Sequence, residues 1–298
     1  MEMQYQKLQG CQNDFIYLDF AFSGLEPPAE MAWAKLARSL SDRKGPYGAD
    51  GLILLLPPEA NSEADFQMKI FNADGSEAEM CGNGLRAAAK MAHDLTHGAK
   101  RELKIETRAG LRACEIIEIL NPQRCVVRAN MGRPSFLPHK IPVLFDDVMV
   151  VDEEFVIQDQ HFKMTCVSMG NPHAVIEVAD LANFDVPRFG VQIESHEAFP
   201  EGTNVEFIEV KGLEVHQRTW ERGSGETKAC GTGACAVGVS LIMRNRMDSP
   251  VQIQLQGGRL QVDWDGLKEV YLTGEAEWVD RGKFNLEELL QRPELPRP

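Results

Sequence analysis

The chain has 298 residues, with Lys+Arg 31 against Asp+Glu 45 and a formal net charge of −14. At about 150 residues per domain this suggests two domains, and ordinary fractions of hydrophobic (43%) and charged (26%) residues exclude a disordered tail, a collagen-like repeat and a disulfide-dense mini-protein. The acidic balance argues against nucleic acid or an anionic membrane as partner. The longest aliphatic run, Leu52 to Leu56, is far short of the roughly 20 residues of a membrane span.

The N-terminus shows no basic region followed by an apolar core, so the expectation is a cytoplasmic protein. The chain opens as strand, turn, strand, with turn chemistry over Gly10–Asp14 and a short apolar run over Phe15–Leu18. Apolar residues at helical spacing predict a helix over 29–41. Strands are expected at 52–56 and 66–71, a turn at 72–76, and a helix over 82–97 closed by Gly98. Strands at 103–107, 111–120 and 125–131 read as a meander, and Gly132-Arg133-Pro134 punctuates the middle. The second half offers strands at 155–157, 164–168, 174–178, 204–210 and 214–220. A helix over 231–244 is apolar nearly all round, which marks a core helix. Strands at 251–255, 258–262 and 269–274 follow, and Pro293 and Pro296 make a loose tail.

An internal repeat runs through both halves. Phe71-Asn72-Ala73-Asp74-Gly75-Ser76-Glu77 through Cys81-Gly82-Asn83-Gly84 to Ala87 lies over Trp220-Glu221-Arg222-Gly223-Ser224-Gly225-Glu226 through Cys230-Gly231-Thr232-Gly233 to Ala236. The offset is 149 throughout, since 220−71 and 230−81 both give 149. Each copy joins a strand to a helix through a glycine-containing loop and a Cys-Gly-x-Gly. A thiol at a helix start sits beside unpaired amides and the positive end of the helix dipole, so both thiols are expected to ionise more easily than usual. The same amides form a carboxylate or phosphate cradle. Two such thiols suggest a ligand approached from opposite sides.

Other readings fit less well. Gly82-x-Gly84-x-x-Ala87 and its repeat match the loose dinucleotide fingerprint, but polar residues precede each first glycine where an apolar strand is required. Residues 223–228 lack the Gly-Lys-Ser/Thr of a P-loop. No His or Cys partners stand near Cys230 and Cys235, so no metal is expected. Cys11, Cys114, Cys125, Cys166 and Cys235 read as ordinary reduced thiols. His173, in Gly170-Asn171-Pro172-His173, reads as a functional candidate in a turn between strands.

At these residues, and in Met169–His173, Gly202-Thr203-Asn204-Val205-Glu206-Phe207 and Thr219–Gly223, the sequence resembles the diaminopimelate epimerases across essentially its whole length. The resemblance implies an α/β (α+β) fold of two pseudo-symmetric domains, each a mixed, largely antiparallel sheet wrapped around a central helix, with the active site in the interdomain cleft. The last segment would return to the first domain, giving domains 1–131 plus 276–298 and 132–275. It implies a reaction without pyridoxal phosphate or other cofactor, LL- to meso-diaminopimelate, serving lysine and cell-wall synthesis.

Inverting an amino-acid Cα requires removing a proton from one face and returning one to the other, which suits two opposed acid/bases. Cys81 and Cys230 would carry these roles, with the direction of each left open. Backbone amides of Gly82, Asn83, Gly231 and Thr232 would hold the α-carboxylate and stabilise developing charge. By resemblance Asn13, Asn72, Asn171, Asn204, Glu221 and Arg222 bind the substrate, Arg222 at the distal carboxylate and Glu221 at an ammonium. His173 and Glu221 match positions that tune the thiols. Gly10-Cys11-Gln12 departs from the family's small-residue pattern, and Gly51 stands where some members place a substrate-contacting glutamine. A racemase of another amino acid, and a non-catalytic thiol-based binding or redox protein, remain as alternatives, and the resemblance leaves a homodimer open.

Overall fold

The structure is a computed structural model that describes residues 2–28 and 32–291. The chain divides into two compact units, Met1–Ala129 with Glu275–Pro298, and Asn130–Gly274. Among the described residues no helix is long and apolar enough to cross a membrane.

The first unit begins with β1 (Glu2–Gly10) and β2 (Asn13–Asp19), an antiparallel hairpin whose two turn residues, Cys11 and Gln12, have φ of 53° and 59°. This is the backbone of a two-residue primed turn, in which both central residues are left-handed. Helix α1 (Trp33–Ser41) follows; positions 29–31 of the expected helix lie outside the described residues. Next come β3 (Gly51–Leu56), β4 (Phe66–Asn72), the two-residue β5 (Glu77–Ala78) and helix α2 (Gly82–Leu95). The meander β6 (Glu102–Thr107), β7 (Gly110–Ile119) and β8 (Arg124–Gly132) completes the run. β2 pairs with β3 and β4 with β6 in parallel; β3–β4, β6–β7 and β7–β8 are antiparallel.

β2 and β3 read as unbroken apolar runs because both of their faces are covered. Ile16, Leu18, Leu52 and Leu54 pack with Leu36, Ala37 and Leu40 of α1. On the opposite face the Tyr17 hydroxyl donates to Gly84 O of α2 at 3.1 Å. Helix α2 rests on β1, β2 and β7. It stops at Leu95, two residues before the expected end, where Thr96 Oγ1 turns back to Ala92 O at 2.8 Å.

The second unit repeats this order. Its strands are β9 (Glu153–Ile157), β10 (Gln160–Ser168), β11 (Pro172–Glu177), β12 (Asn204–Lys211), β13 (Glu214–Glu221) and β14 (Gly225–Thr227). Helix α3 (Val186–Glu194) connects β11 to β12. Helix α4 (Gly231–Met243) is followed by β15 (Val251–Gln254), β16 (Arg259–Asp263) and β17 (Val270–Asn285). β11–β12 and β13–β15 are parallel, as are their counterparts in the first unit; β12–β13, β15–β16 and β16–β17 are antiparallel. Residues 231–241 of α4 are all buried, in keeping with its lack of a polar face.

β17 is far longer than the expected strand at 269–274. Its first residues pair with β16, and from Glu277 to Asn285 it pairs with β1. A short helix, α5 (Leu286–Gln291), then packs on α1. The proline-bearing tail from 292 lies outside the described residues.

Candidate active site

The sequence repeat is a repeat of backbone. In the first copy β4 and β5 pair Ile70 with Ala78 and Phe71 with Glu77. In the second, β13 and β14 pair Thr219 with Thr227 and Trp220 with Glu226, each residue shifted by 149. Both hairpins deliver a cysteine to the N-cap of a helix. Cys81 has φ −140°, ψ 117° and Cys230 φ −117°, ψ 116°, and each sulfur accepts the amide of the third helical residue, Gly84 or Gly233, at 3.4 Å. A thiol thus does what Ser or Asp does at most helix starts. Gly82, Asn83, Gly231 and Thr232 form the first turns, where amides point out of the helix end.

Glycine is required at the third helical position for closeness. A Cβ on Gly233 would lie 2.5 Å from Glu206 Oε1, and one on Gly84 would lie 2.6 Å from Ile53 Cδ1. Gly233→Ala is expected to destabilise the chain by about 1–3 kcal/mol, the usual cost of overpacking, as a lowered urea midpoint. An unchanged midpoint would show that Glu206 can move aside.

In the first unit Cys81 is half-buried. Its thiol donates to Asn13 Oδ1 at 3.6 Å, and Asn83 Nδ2 donates to the same oxygen at 3.2 Å. Asn13 is fixed from behind, its Nδ2 donating to Asp50 Oδ2 at 2.8 Å, and Asp50 pairs with Arg43 at 2.6 Å. Asn83 Oδ1 accepts from the buried Arg86 guanidinium at 2.7 Å. Asn72 is exposed at the end of β4, with Nδ2 donating to Ser76 Oγ at 3.0 Å, apart from these contacts. Gly51 opens β3 opposite Asn72.

The second unit holds a denser set. His173 was expected in a turn, but the turn ends at Asn171, two residues earlier. Pro172 already pairs with Ser168, so His173 lies within β11, fully buried, opposite Asn204 of β12. Its Nδ1 meets Glu206 Oε1 at 2.9 Å and its Nε2 donates to Asn171 Oδ1 at 3.0 Å. Asn171 Nδ2 donates to Thr232 Oγ1 at 3.3 Å, and that oxygen lies 3.4 Å from Cys230 Sγ. Glu221 is hydrogen-bonded to Cys230 and accepts from the Thr227 hydroxyl. Asn204 Oδ1 accepts the Arg222 amide at 3.0 Å, while the exposed Arg222 side chain donates to Glu201 O at 2.9 Å.

The expectation of two readily ionised thiols fails at Cys230. Burial pushes its thiol well above the ordinary range, and the Glu221 and Glu206 carboxylates push it further. The Thr232 hydroxyl and the Gly233 amide act the other way. The helix end is present, but desolvation and two carboxylates outweigh it. Burial also raises the Glu221 carboxyl, against the hydrogen bond from Thr227.

Glu206 was missed by sequence reasoning, yet a signal was there. On β12 Asn204 and Glu206 alternate with Val205 and Phe207 in a run buried on both faces, and on β13 Gln217 and Thr219 are buried polar residues two apart. Period-two polarity inside such a strand puts polar groups on one internal face, here the face under α4. Among the remaining thiols Cys114, Cys125, Cys166 and Cys235 are buried, and Cys11 is half-buried with Sγ 3.9 Å from Arg86 Nη2. Among the described residues no group of three or more His, Cys, Asp or Glu is arranged to hold a metal ion.

The diaminopimelate epimerase family model matches residues 5–137 and 165–279. This chain belongs to the diaminopimelate epimerase family. It is 43% identical over 291 residues to a diaminopimelate epimerase of Halothermothrix orenii, covering 97% of this chain and all of the relative. To one of Methanococcus maripaludis it is 40% identical over 286 residues, covering 95% of this chain and all of the relative. Solved structures share the fold at lower identity. A hydroxyproline epimerase from Agrobacterium vitis has a TM-score of 0.66 at 17% identity, over 95% of this chain and 91% of that one. A PhzF-family phenazine biosynthesis protein from Bacillus anthracis has a TM-score of 0.67 at 17% identity, over 96% of this chain and all of that one.

Proposed function

We propose that this member of the family interconverts LL- and meso-diaminopimelate, with Cys81 and Cys230 as paired acid and base on opposite faces of one Cα. The observation that carries this reading is the repeated N-cap thiol: two cysteines in matching backbone, each beside the amides of a helix start. One thiolate removes the α-proton while the other thiol delivers a proton to the opposite face, and the roles exchange in the reverse direction. The amides of Gly82, Asn83, Gly231 and Thr232 bind the α-carboxylate and stabilise charge developing next to it. Glu221 receives an ammonium group. Asn13, Asn72, Asn171 and Asn204 supply amide hydrogen bonds to the zwitterion, and His173 supports Cys230.

Arg222 takes the distal carboxylate with guanidinium hydrogens not used by Glu201 O. Arg222→Met is expected to raise KM about 10–100-fold, the worth of a charged hydrogen bond of about 1.5–3 kcal/mol, with the melting transition retained. A KM within twofold of the parent would remove Arg222 from substrate recognition. The reading as a whole is tested by incubating LL-diaminopimelate with the protein in deuterated water and following Cα deuterium by mass. Solvent deuterium should enter as the meso isomer forms. Binding without exchange would overturn it.

A further inference from the structure

Overlaying the two units by their strand pairings exposes a difference at the thiols. Ile53 of β3 pairs with Ile70, and Glu206 of β12 pairs with Thr219, the repeat partner of Ile70. Likewise Phe15 pairs with Gly51 in the first unit where His173 pairs with Asn204 in the second. So Phe15 and Ile53 stand where the second unit has His173 and Glu206.

The hydrogen bonds around Cys230 can all run in one direction. Thr232 Oγ1 accepts from Asn171 Nδ2, so its own proton is available for Cys230 Sγ. Asn171 is oriented by His173 Nε2–H, and His173 Nδ1 faces Glu206 Oε1. Nε2 must donate, because an amide oxygen only accepts; where Nδ1 also donates, to a Glu206 carboxylate, His173 is an imidazolium. Glu206 is fully buried and its Oε2 has no hydrogen-bond partner. An ionised carboxylate so buried is stable only with a cation in contact, and His173 is the group in contact with it. We propose that Glu206 is a positioning residue that holds His173 as an imidazolium and, through Asn171 and Thr232, aims a hydroxyl proton at the Cys230 sulfur. The chain favours the thiolate. When His173 is neutral, Asn171 turns over, Thr232 donates to it instead, and the sulfur keeps its proton.

Other groups face the same place. Glu221 on β13 borders Cys230, and Cys166 on β10 faces Glu206. β15 and β16, which pack on α4, carry the buried Val251, Ile253, Leu260 and Val262. Glu206 taken as a charge alone would oppose thiolate formation at Cys230. The relay and the bare charge therefore predict opposite outcomes for Glu206→Gln.

The proposal rests on the two-thiol reading for its purpose, but its test needs no turnover. Full-length protein carrying ¹⁵N-histidine, with the His173 signals assigned by their loss in His173→Gln, should show both ring nitrogens protonated at pH 8, and Glu206→Gln should render the ring neutral. Methylthiolation of Cys230 by methyl methanethiosulfonate at pH 8.5, followed by peptide mass, should slow about tenfold in Glu206→Gln and Thr232→Val and persist in Thr232→Ser, as expected for about one pH unit in thiol ionisation. A neutral His173 in the parent protein, or an equal or faster Cys230 reaction in Glu206→Gln, would overturn the relay. Should Glu206→Gln not fold, the ring state of the parent and the Thr232 pair decide it alone. Loss of diaminopimelate turnover in the parent would count against the proposed function and leave these readouts intact.

Discussion

Cys81→Ser and Cys230→Ser are each expected to lower kcat for diaminopimelate epimerisation about 10³-fold, at the scale of losing a positioned acid or base. Serine is the informative replacement. Its hydroxyl is a strong N-cap and keeps the acceptor for Gly84 N–H or Gly233 N–H, so the helix start is preserved. It does not ionise at working pH, so proton transfer is lost. Alanine would mix the two effects, adding a cap loss of about 1 kcal/mol. Steady-state rates and a urea melt separate them, with midpoints near the parent's and rates near background. A serine variant that epimerises within tenfold of the parent would rule out its cysteine as acid or base.

Stability is expected to collapse between pH 9 and 11. Burial raises Cys125 to about 11 and Cys114 to about 12, and it raises Cys166 as well. Below about pH 8 these thiols are protonated in both folded and unfolded chains, and stability is flat in their respect. Above pH 9 the unfolded chain loses those protons while the folded one keeps them. Unfolding then releases protons, and each thiol removes about 1.4 kcal/mol per pH unit until the pH passes its folded value. Three such thiols remove roughly 4 kcal/mol per unit, a large share of the whole stability of a domain. Urea midpoints measured from pH 7 to 11 should fall steeply from 9 onward. Replacing Cys114 and Cys125 with Ala should remove about two thirds of the slope, whatever it does to the starting midpoint. A midpoint constant to pH 10.5 would contradict this account.

Much of the fold was legible because its strongest signals are local. The all-round apolarity of α4 announced a core helix, and the Cys-Gly-x-Gly repeat located both helix starts to the residue. Helix α3 escaped notice although Asp185 caps it and Pro187 opens it. Gly190 interrupts its pattern, and the reason is tertiary: a Cβ there would lie 2.5 Å from Trp220 Cγ. β5 and β14, of two and three residues, hold their form only through pairing with β4 and β13. The candidate site divides the same way. Its thiols and most of its asparagines follow from motifs, because the loops that carry them need particular residues. The Cys230 environment does not, because Glu221, Glu206, His173 and Thr232 meet through three strands and a helix far apart in sequence.

The path of β17 bears on how the protein is made. β1 leaves the ribosome well before Glu277–Asn285, the residues that pair one of its edges. The unit encoded first is therefore finished last. Residues 130–274 have every strand of their own sheet in hand while β1 still waits with one edge open. Until those residues emerge, that edge of β1 is open to wrong pairing. Ribosome-bound chains stalled before residue 277 should leave the β1 amides that face β17 unprotected against hydrogen exchange.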